Sequence, residues 1–577
     1  MSVEPVPGRR SAVKACPHPR AVYLTTIAGV GYLLILLCVW GVFATTSGLP
    51  WETYFTVTSE SSPGWRGFFY EHDPMRIHNA TFFHAAYMLG EAIGMRGSFV
   101  PYQIVYAVLW WARSFLAFLL IRRLLPNSAV LPFIIGALTL IHASDLLVNW
   151  IGQLHSFGFS VWLLFAAYML VLALQQTTAT WTAIYASLAC VFVHLCLWTQ
   201  EGPLFIVLAA PVVFGFLVHP RRPTKHCVLL FGAWYALPAV YLYLTYQKYL
   251  HSGGSTYQEG LLRKTFSPTA ILSDWALNVR YSLSFWSWQP SESHLEQGQI
   301  FMLAAGAVIV FLAGSLLCTR REDSDWIGIS SFRNRDLWHL LGAGFIFLVL
   351  SFPAYLLLAT VREPRRTQLL SAIAAAIVLG TVINILAGLI PRERWRPVVA
   401  ILLAIPVMWV GAYRTIERGG ARRWDWITHV ETMRQLLRAV PNVKNGTVVV
   451  MINVPKDVDP FFHFAFWYNN ALRLAYPRTT VAGVYYYHDG TPEPSNNLRL
   501  SGTRWEFTGE SAAPLIRAAS VDQTLVIEYD RSGTVKILPK IPSFVCDGQS
   551  SGQPYDPYAR VLGGPPAPET LRRYGPL

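Results

Sequence analysis

The sequence predicts an α-helical, multi-spanning membrane protein that ends in a small α/β domain. Three observations carry that expectation. The 577 residues are 53% apolar and only 14% charged, where soluble globular chains carry about a quarter charged residues. Long apolar runs recur from residue 21 to residue 413. Beyond residue 413 the pattern changes to short apolar stretches separated by polar turns.

A spanning helix needs roughly 20 mainly apolar residues. Runs near 21–46, 99–121, 126–143, 156–175, 180–199, 203–219, 227–247, 299–318, 339–360, 369–390 and 398–413 approach or meet that length, which gives eleven spans. The first run follows a polar tail, 1–20. It is too long, and lacks the small-residue cleavage site, for a removable signal peptide, so it reads as a signal anchor.

Orientation follows from Lys and Arg in short loops. Arg9, Arg10, Lys14 and Arg20 precede the first span and predict a cytoplasmic N-terminus. Every second loop is then cytoplasmic, and those loops carry Arg122-Arg123, Arg221-Arg222 with Lys225, Arg320-Arg321 with Arg333 and Arg335, and Arg392, Arg394 and Arg396. An odd number of spans places residues 414–577 on the opposite, periplasmic or extracellular side. The net charge of +13 is therefore topological, and no basic stripe interleaved with aromatics suggests a nucleic-acid partner.

The loop 361–368 breaks the rule by placing Arg362, Arg365 and Arg366 outside. It reflects one span too many or too few in the count, a tolerated exception, or an anionic site at the membrane surface, since guanidinium suits phosphate. Two outer segments are long, 47–98 and 248–298. The first contains the amphipathic stretch 81–90, which suits a helix lying in the interface. The second contains Trp286 and Trp288, as belt residues or as a platform for a sugar.

Residues 414–577 predict a helix at 421–440 with Trp424, Ile427, Met433 and Leu437 on one face, a strand at 447–453, a helix near 461–476 and a strand near 479–487. A hairpin follows, 524–529 paired with 534–538, and a Pro- and Gly-rich irregular end. Of the seven cysteines only Cys546 lies in this domain, so it forms no internal disulfide, and no CxxC pair supports a zinc knuckle.

Chemistry concentrates in the first outer loop, Tyr70-Glu71-His72-Asp73-Pro74-Met75-Arg76. In an extended segment Glu71 and Asp73 project to the same side. They can share a divalent cation, Mg or Mn, or one can act as a base toward a hydroxyl. His72, His78 and His84 are spaced six apart, which is not helical metal spacing, and read as satisfied or solvated histidines.

An acidic pair there, directly after a signal anchor in a chain with many spans and an outer C-terminal domain, resembles the GT-C class of integral-membrane glycosyltransferases. The run from His78 through Phe83-His84 to Arg122-Arg123, and the stretch Ile141-His142-Ala143-Ser144-Asp145 with Asn149-Trp150-Ile151, are similar to its TMTC-like and bacterial dolichyl-phosphate-mannose-type members. Gln200-Glu201 stands where many members have a Lys-Glu pair, so the lysine is missing.

The resemblance implies transfer of a sugar from a polyprenyl-phosphate-linked donor to a glycan, lipid or protein acceptor outside a bacterial inner membrane. It makes Asp73 the base and Glu71 a metal ligand or second carboxylate, with Asp145 and Glu201 as further members of an acidic cluster. Arg362, Arg365, Arg366 and Arg76 become the partners of the donor phosphate, with Arg263-Lys264 as weaker ones. The other readings are a transporter or flippase for a lipid-linked or anionic solute, and a catalytically inactive GT-C-like scaffold.

Overall fold

A computed structural model describes residues 19–41, 43, 62, 64–70, 73–126, 128–145, 150–218, 224–251, 263, 267–284, 297–319, 334–356, 368–461, 465–494, 498–507, 518–530, 534–545 and 555–575. Fourteen helices among them precede the C-terminal sheet. They are α1 (Pro19–Trp40), α2 (Thr81–Ala92), α3 (Val100–Leu124), α4 (Val130–Leu140), α5 (Leu154–Gln175), α6 (Ala179–Leu197) and α7 (Leu204–Leu217). The series continues with α8 (Thr224–His251), α9 (Pro268–Leu283), α10 (Gln297–Thr319), α11 (Asn334–Leu350), α12 (Pro353–Leu356), α13 (Gln368–Gly388) and α14 (Arg396–Ala439).

Each of the eleven apolar runs coincides with a helix. Among the described residues, eight helices are long and apolar enough to cross a membrane, while α4 and α7 are shorter. The 11 residues of α4 rise only about 16 Å, roughly half the hydrocarbon thickness. That helix is buried all round and packs against α3 and α13, so protein rather than lipid surrounds it. The amphipathic stretch becomes α2, which packs against α3 and α5 and buries Phe83, His84 and Tyr87.

The two ends of the bundle differ. At one, the Arg122 guanidinium donates to Thr25 Oγ1 at 2.6 Å, and Arg123 donates to Gln175. The other carries the C-terminal domain, and α14 joins the two parts. Its 44 residues make a rod about 66 Å long. The separate helix expected at 421–440 is the outer half of this rod, in a different rotational phase. Met433 and Leu437 are fully buried as expected, but Trp424 is 67% exposed and Ile427 43% exposed. The buried stripe is instead Trp426, Val430, Met433 and Leu437, because Trp424 and Trp426 stand about 200° apart around the axis.

In the domain, β2 (Thr447–Val454) lies between β3 (Val481–Tyr487) and β7 (Thr524–Tyr529), parallel to both, and β8 (Val535–Ile537) adds antiparallel to β7. The crossover from β2 to β3 is α15 (Ala465–Ala475). Asn469 fixes it by exchanging hydrogen bonds of 2.8 Å with the Gly483 backbone in both directions. Gly483 is required there, since a Cβ would meet the Leu472 and Tyr468 side chains at 2.5 Å. A second sheet of β4 (Leu498–Ser501), β5 (Arg504–Phe507) and β6 (Ala518–Ser520) covers the opposite face.

The described part of the C-terminal end is ordered rather than irregular. β9 (Val561–Leu562) pairs antiparallel with β1 (Asn442–Val443), the first strand of the domain, and α16 (Pro568–Tyr574) docks on α15 through Thr570 and Arg573, which donate to the Ala475 and Leu474 carbonyls at 2.9 Å. The Arg573 guanidinium also lies 5.6 Å from the Phe99 ring centroid, and Phe99 meets Trp426 edge-on at 5.0 Å. These contacts seat the domain on the bundle.

Candidate functional site

Residues 64–70 and 73–98, which join α1 to α3, meet the bundle at the domain end. Asp73 is extended (φ −139) and caps a short 3-10 turn, Pro74–Arg76, where its carboxylate accepts the Met75 N–H at 2.9 Å. Proline suits that first helical position, since it has no N–H to satisfy and its φ is preset. The same Asp73 oxygen accepts from Lys248 Nζ, near the end of α8, at 2.8 Å. Asp73 retains 17% side-chain exposure, so the carboxylate is sheltered and still reachable.

One turn on, the Arg76 guanidinium grips Glu201 with both arms, at 2.6 and 3.2 Å. Burial opposes the Arg76 charge, but Glu201 outweighs it, and the guanidinium holds its proton more tightly than usual. Glu201 is placed by the short link between α6 and α7. The Tyr355 hydroxyl lies over the next residue, Gly202, so closely that a Cβ there would come within 2.3 Å of it. A tyrosine hydroxyl, two carboxylates and two cations thus share one polar patch.

His78 borders this patch. Its backbone N–H donates to the Trp198 carbonyl at 3.1 Å, and its Nε2 faces His194 Nε2 at 3.4 Å. Burial, followed by the neighbouring His194, lowers the His78 pKa to about 4, so the ring is neutral at physiological pH. His84 accepts no role here, since its ring nitrogen bonds the Gly64 carbonyl at 2.7 Å.

Asp145 does not join an acidic cluster with Glu201. It is fully buried against Arg113, 2.8 Å away and equally buried, and Arg113 also donates to the Thr139 carbonyl at 2.8 Å. An unpaired charge inside a bundle is costly, so each carboxylate has been matched to its own arginine. Arg418 of α14 ties the same corner together by donating to the Asp145 carbonyl and, at 3.0 Å, to the Ala143 carbonyl. Among the described residues no group of three or more His, Cys, Asp or Glu is arranged to hold a metal ion.

Glu71, His72, Lys264, Trp286, Trp288, Arg362, Arg365 and Arg366 lie outside the described residues. Arg263 is described and pairs with Asp274 rather than with the patch. Gln200, where a lysine was expected, receives a long 3.5 Å contact from Ser156 and no cation role falls to it. The lysine of the patch is Lys248, which sequence reasoning passed over. Its one signal is a lone cation at the outer end of a predicted span.

Deeper in the bundle, between α3, α5, α7, α8, α11 and α13, lies a small apolar cavity of about 60 Å³. Ile206 of α7, Trp234 of α8, Phe347 of α11 and Leu370 of α13 are among its lining, all of it apolar. Three of those helices or their extensions also bring Glu201, Lys248 and Tyr355 to the patch. The patch balances Asp73 against Lys248 and Glu201 against Arg76, while the cavity within the bundle is wholly apolar.

No family model matches the chain. No curated protein matches it either. Among solved structures it is similar to ArnT from Cupriavidus metallidurans bound to undecaprenyl phosphate, at 12% identity and a TM-score of 0.34, over 78% of this chain and 85% of that one. The apo state of the same protein is similar at 14% identity and a TM-score of 0.31, over 77% and 85% of the two chains. Such values are too low to carry chemistry from one protein to the other.

Proposed function

We propose that the protein is a membrane glycosyltransferase that moves a sugar from a polyprenyl-phosphate-linked donor to an acceptor on the side of the C-terminal domain, with Asp73 as the base. The observation that supports this most is the Asp73–Lys248 pair beside Arg76. The motif resemblance in the first outer loop points the same way.

In this reading the donor phosphate lies against Lys248 and Arg76. Lys248 exchanges the Asp73 oxygen for a phosphate oxygen, which frees the carboxylate. Asp73 takes the proton from the acceptor hydroxyl as its oxygen attacks the anomeric carbon. The bond between that carbon and the phosphate oxygen breaks, and the carrier phosphate leaves as an anion. Fixed cations where charge develops stabilise that step most. Glu201 keeps the Arg76 fork oriented toward the patch rather than the solvent.

Around this centre we place the remaining assignments. The tail 1–20 is cytoplasmic, 21–413 is the membrane domain and 414–577 is periplasmic or extracellular, in a bacterial inner membrane. Arg362, Arg365 and Arg366 add to the phosphate site, and Trp286 and Trp288 to sugar stacking. A divalent cation, Mg or Mn, held by Glu71 and Asp73 would supply further positive charge at the leaving group.

The test is Asp73→Asn, assayed for sugar transfer in membranes with donor lipid quantified. Loss of transfer with donor accumulation supports the base. Full activity in a normally expressed variant would remove Asp73 from the chemistry and favour the transporter or scaffold reading.

A further inference from the structure

We infer that an open groove between α1 and α3, at the end of the bundle away from the C-terminal domain, binds one anionic phospholipid of the adjoining leaflet. The site is separate from the transfer chemistry and does not rest on it.

The groove holds about 530 Å³ and runs along α1 from Val22 to Leu33, with Trp111 and Phe115 of α3 as its other wall. Over that stretch α1 rises about 16 Å, half of a hydrocarbon core about 30 Å thick. The groove therefore spans one leaflet and stops, as an acyl chain does. A partner's transmembrane helix would cross both leaflets, and it would pack best on small residues that let backbones approach. The glycine of this stretch is not offered for that purpose. A Cβ on Gly29 would meet Phe115 Cε2 at 3.3 Å, and the Gly29 carbonyl accepts the Trp111 indole N–H at 2.9 Å. Its small size serves the contact between α1 and α3. What α1 turns outward along the groove is branched and apolar, with Val22 53%, Val30 49% and Leu33 45% exposed.

Polar side chains gather at one end of the groove. Trp111, Phe115, Phe118 and Arg122 follow one another at spacings of 4, 3 and 4, which puts them on one face of α3. Trp111 stacks on Phe115 at 4.9 Å, Phe115 on Phe118 at 6.2 Å, and the Arg122 guanidinium lies 5.8 Å from the Phe118 ring centroid. Arg122 also donates to Thr25 Oγ1 at 2.6 Å, and Thr25 is part of the groove wall, so the cation stands at its mouth. Thr26 lines the same end and donates to the Val22 carbonyl at 2.9 Å. Farther in, Gly29, Val30, Leu33, Trp111 and Phe115 present an apolar trench whose indole N–H is already used.

A guanidinium and two hydroxyls at the rim, with an apolar trench one leaflet long behind them, are complementary to a phosphate head and its acyl chain. The phosphate lies against Arg122 and Thr25, and the chain runs past Val30 to Leu33. So placed, the lipid joins α1 to α3 at the end where no domain covers them.

The experiment uses the full chain in nanodiscs with phosphatidylglycerol carrying a diazirine in one acyl chain, competed with unlabelled phosphatidylglycerol or phosphatidylcholine. Wild type is expected to label saturably on α1 between Val22 and Leu33 and on α3 between Trp111 and Arg122. Phosphatidylcholine is expected to compete about fivefold less well, the effect of one basic residue on an anionic lipid. Val30→Trp fills the groove and is expected to remove the saturable labelling. Arg122→Gln leaves the groove open and is expected to erase the preference between the two lipids. A second readout compares each protein with itself. Replacing phosphatidylcholine by phosphatidylglycerol should raise the melting temperature of wild type, because a ligand of the folded chain stabilises it, and neither variant should show that rise. Asp73→Asn is expected to label as wild type does, so failure of the transfer reading leaves this one standing. Equal competition by the two lipids, labelling spread alike over all lipid-facing helices, or a groove shielded from the probe by a co-purifying transmembrane helix would overturn the inference.

Discussion

Lys248 Nζ lies 2.8 Å from the Asp73 carboxylate, a contact that spans 175 residues of sequence. It joins the end of a long helix to a loop that precedes most of the bundle. An exposed ion pair would be worth little, but this one is partly sheltered, with side-chain exposures of 35% and 17%. In the proposed mechanism it holds the base and a phosphate partner within one hydrogen bond of each other. Lys248→Met should therefore weaken donor binding and transfer together, whereas Asp73→Asn should remove transfer by about a hundredfold or more with donor binding kept. Separate measurement of KM and kcat for the two variants distinguishes these effects.

Arg76 is predicted to act through its fork. Arg76→Lys keeps the charge but cannot grip Glu201 through both oxygens as the native side chain does at 2.6 and 3.2 Å. Loss of one charge-assisted hydrogen bond is worth about 1.5 kcal/mol, or about tenfold. Titration with a polyprenyl-phosphate analogue should show that weakening, and Glu201→Gln should show part of it because Arg76 then loses its orientation.

Arg113 and Asp145 are predicted to be structural. Both are fully buried, so Arg113→Ala leaves a carboxylate without its cation in the bundle. Breaking such a pair costs about 3–5 kcal/mol, while replacing both partners with apolar residues is close to neutral. Thermal unfolding should show a large loss for Arg113→Ala and substantial recovery for the double variant Arg113→Met, Asp145→Leu.

His78 predicts a pH dependence with a definite sign. Its pKa in the folded protein is about 4 against an ordinary 6.5. As pH falls from about 6.5 to about 4, the unfolded chain takes up a proton that the folded chain refuses, so stability declines through that window. Above it His78 contributes no slope. Melting temperatures of wild type and His78→Gln should run parallel above pH 7 and converge toward pH 4, where the variant no longer loses what wild type loses.

The bundle was legible because apolar runs and basic loops are local signals, and every run from 21–46 to 398–413 coincides with a helix. The parallel order β3-β2-β7 was less so, since strand partners are set by crossovers and not by the strands themselves. The continuity of α14 escaped because the last apolar run ends at 413 and the next amphipathic stretch begins at 421, yet the helix runs through Gly419, which lets the Phe43 ring lie within 2.4 Å of where a Cβ would stand.

At the site, Asp73 and Arg76 could be read from the loop and Glu201 from its place before α7. Their pairing could not. Lys248 and Arg418 carry no motif, and only the folded bundle shows that one meets Asp73 while the other secures the carbonyls of Ala143 and Asp145. Asp145, one of four acidic residues expected together, belongs instead to a buried ion pair because Arg113 projects from α3 into the same corner.

The most direct measurement compares lipid-linked sugars and surface glycans in cells with the intact protein and in cells with Asp73→Asn. The account predicts that a glycan disappears while its lipid-linked donor accumulates, and the missing sugar then names the substrate. Donor and glycan levels that match between the two, under conditions where the protein is expressed, would contradict it.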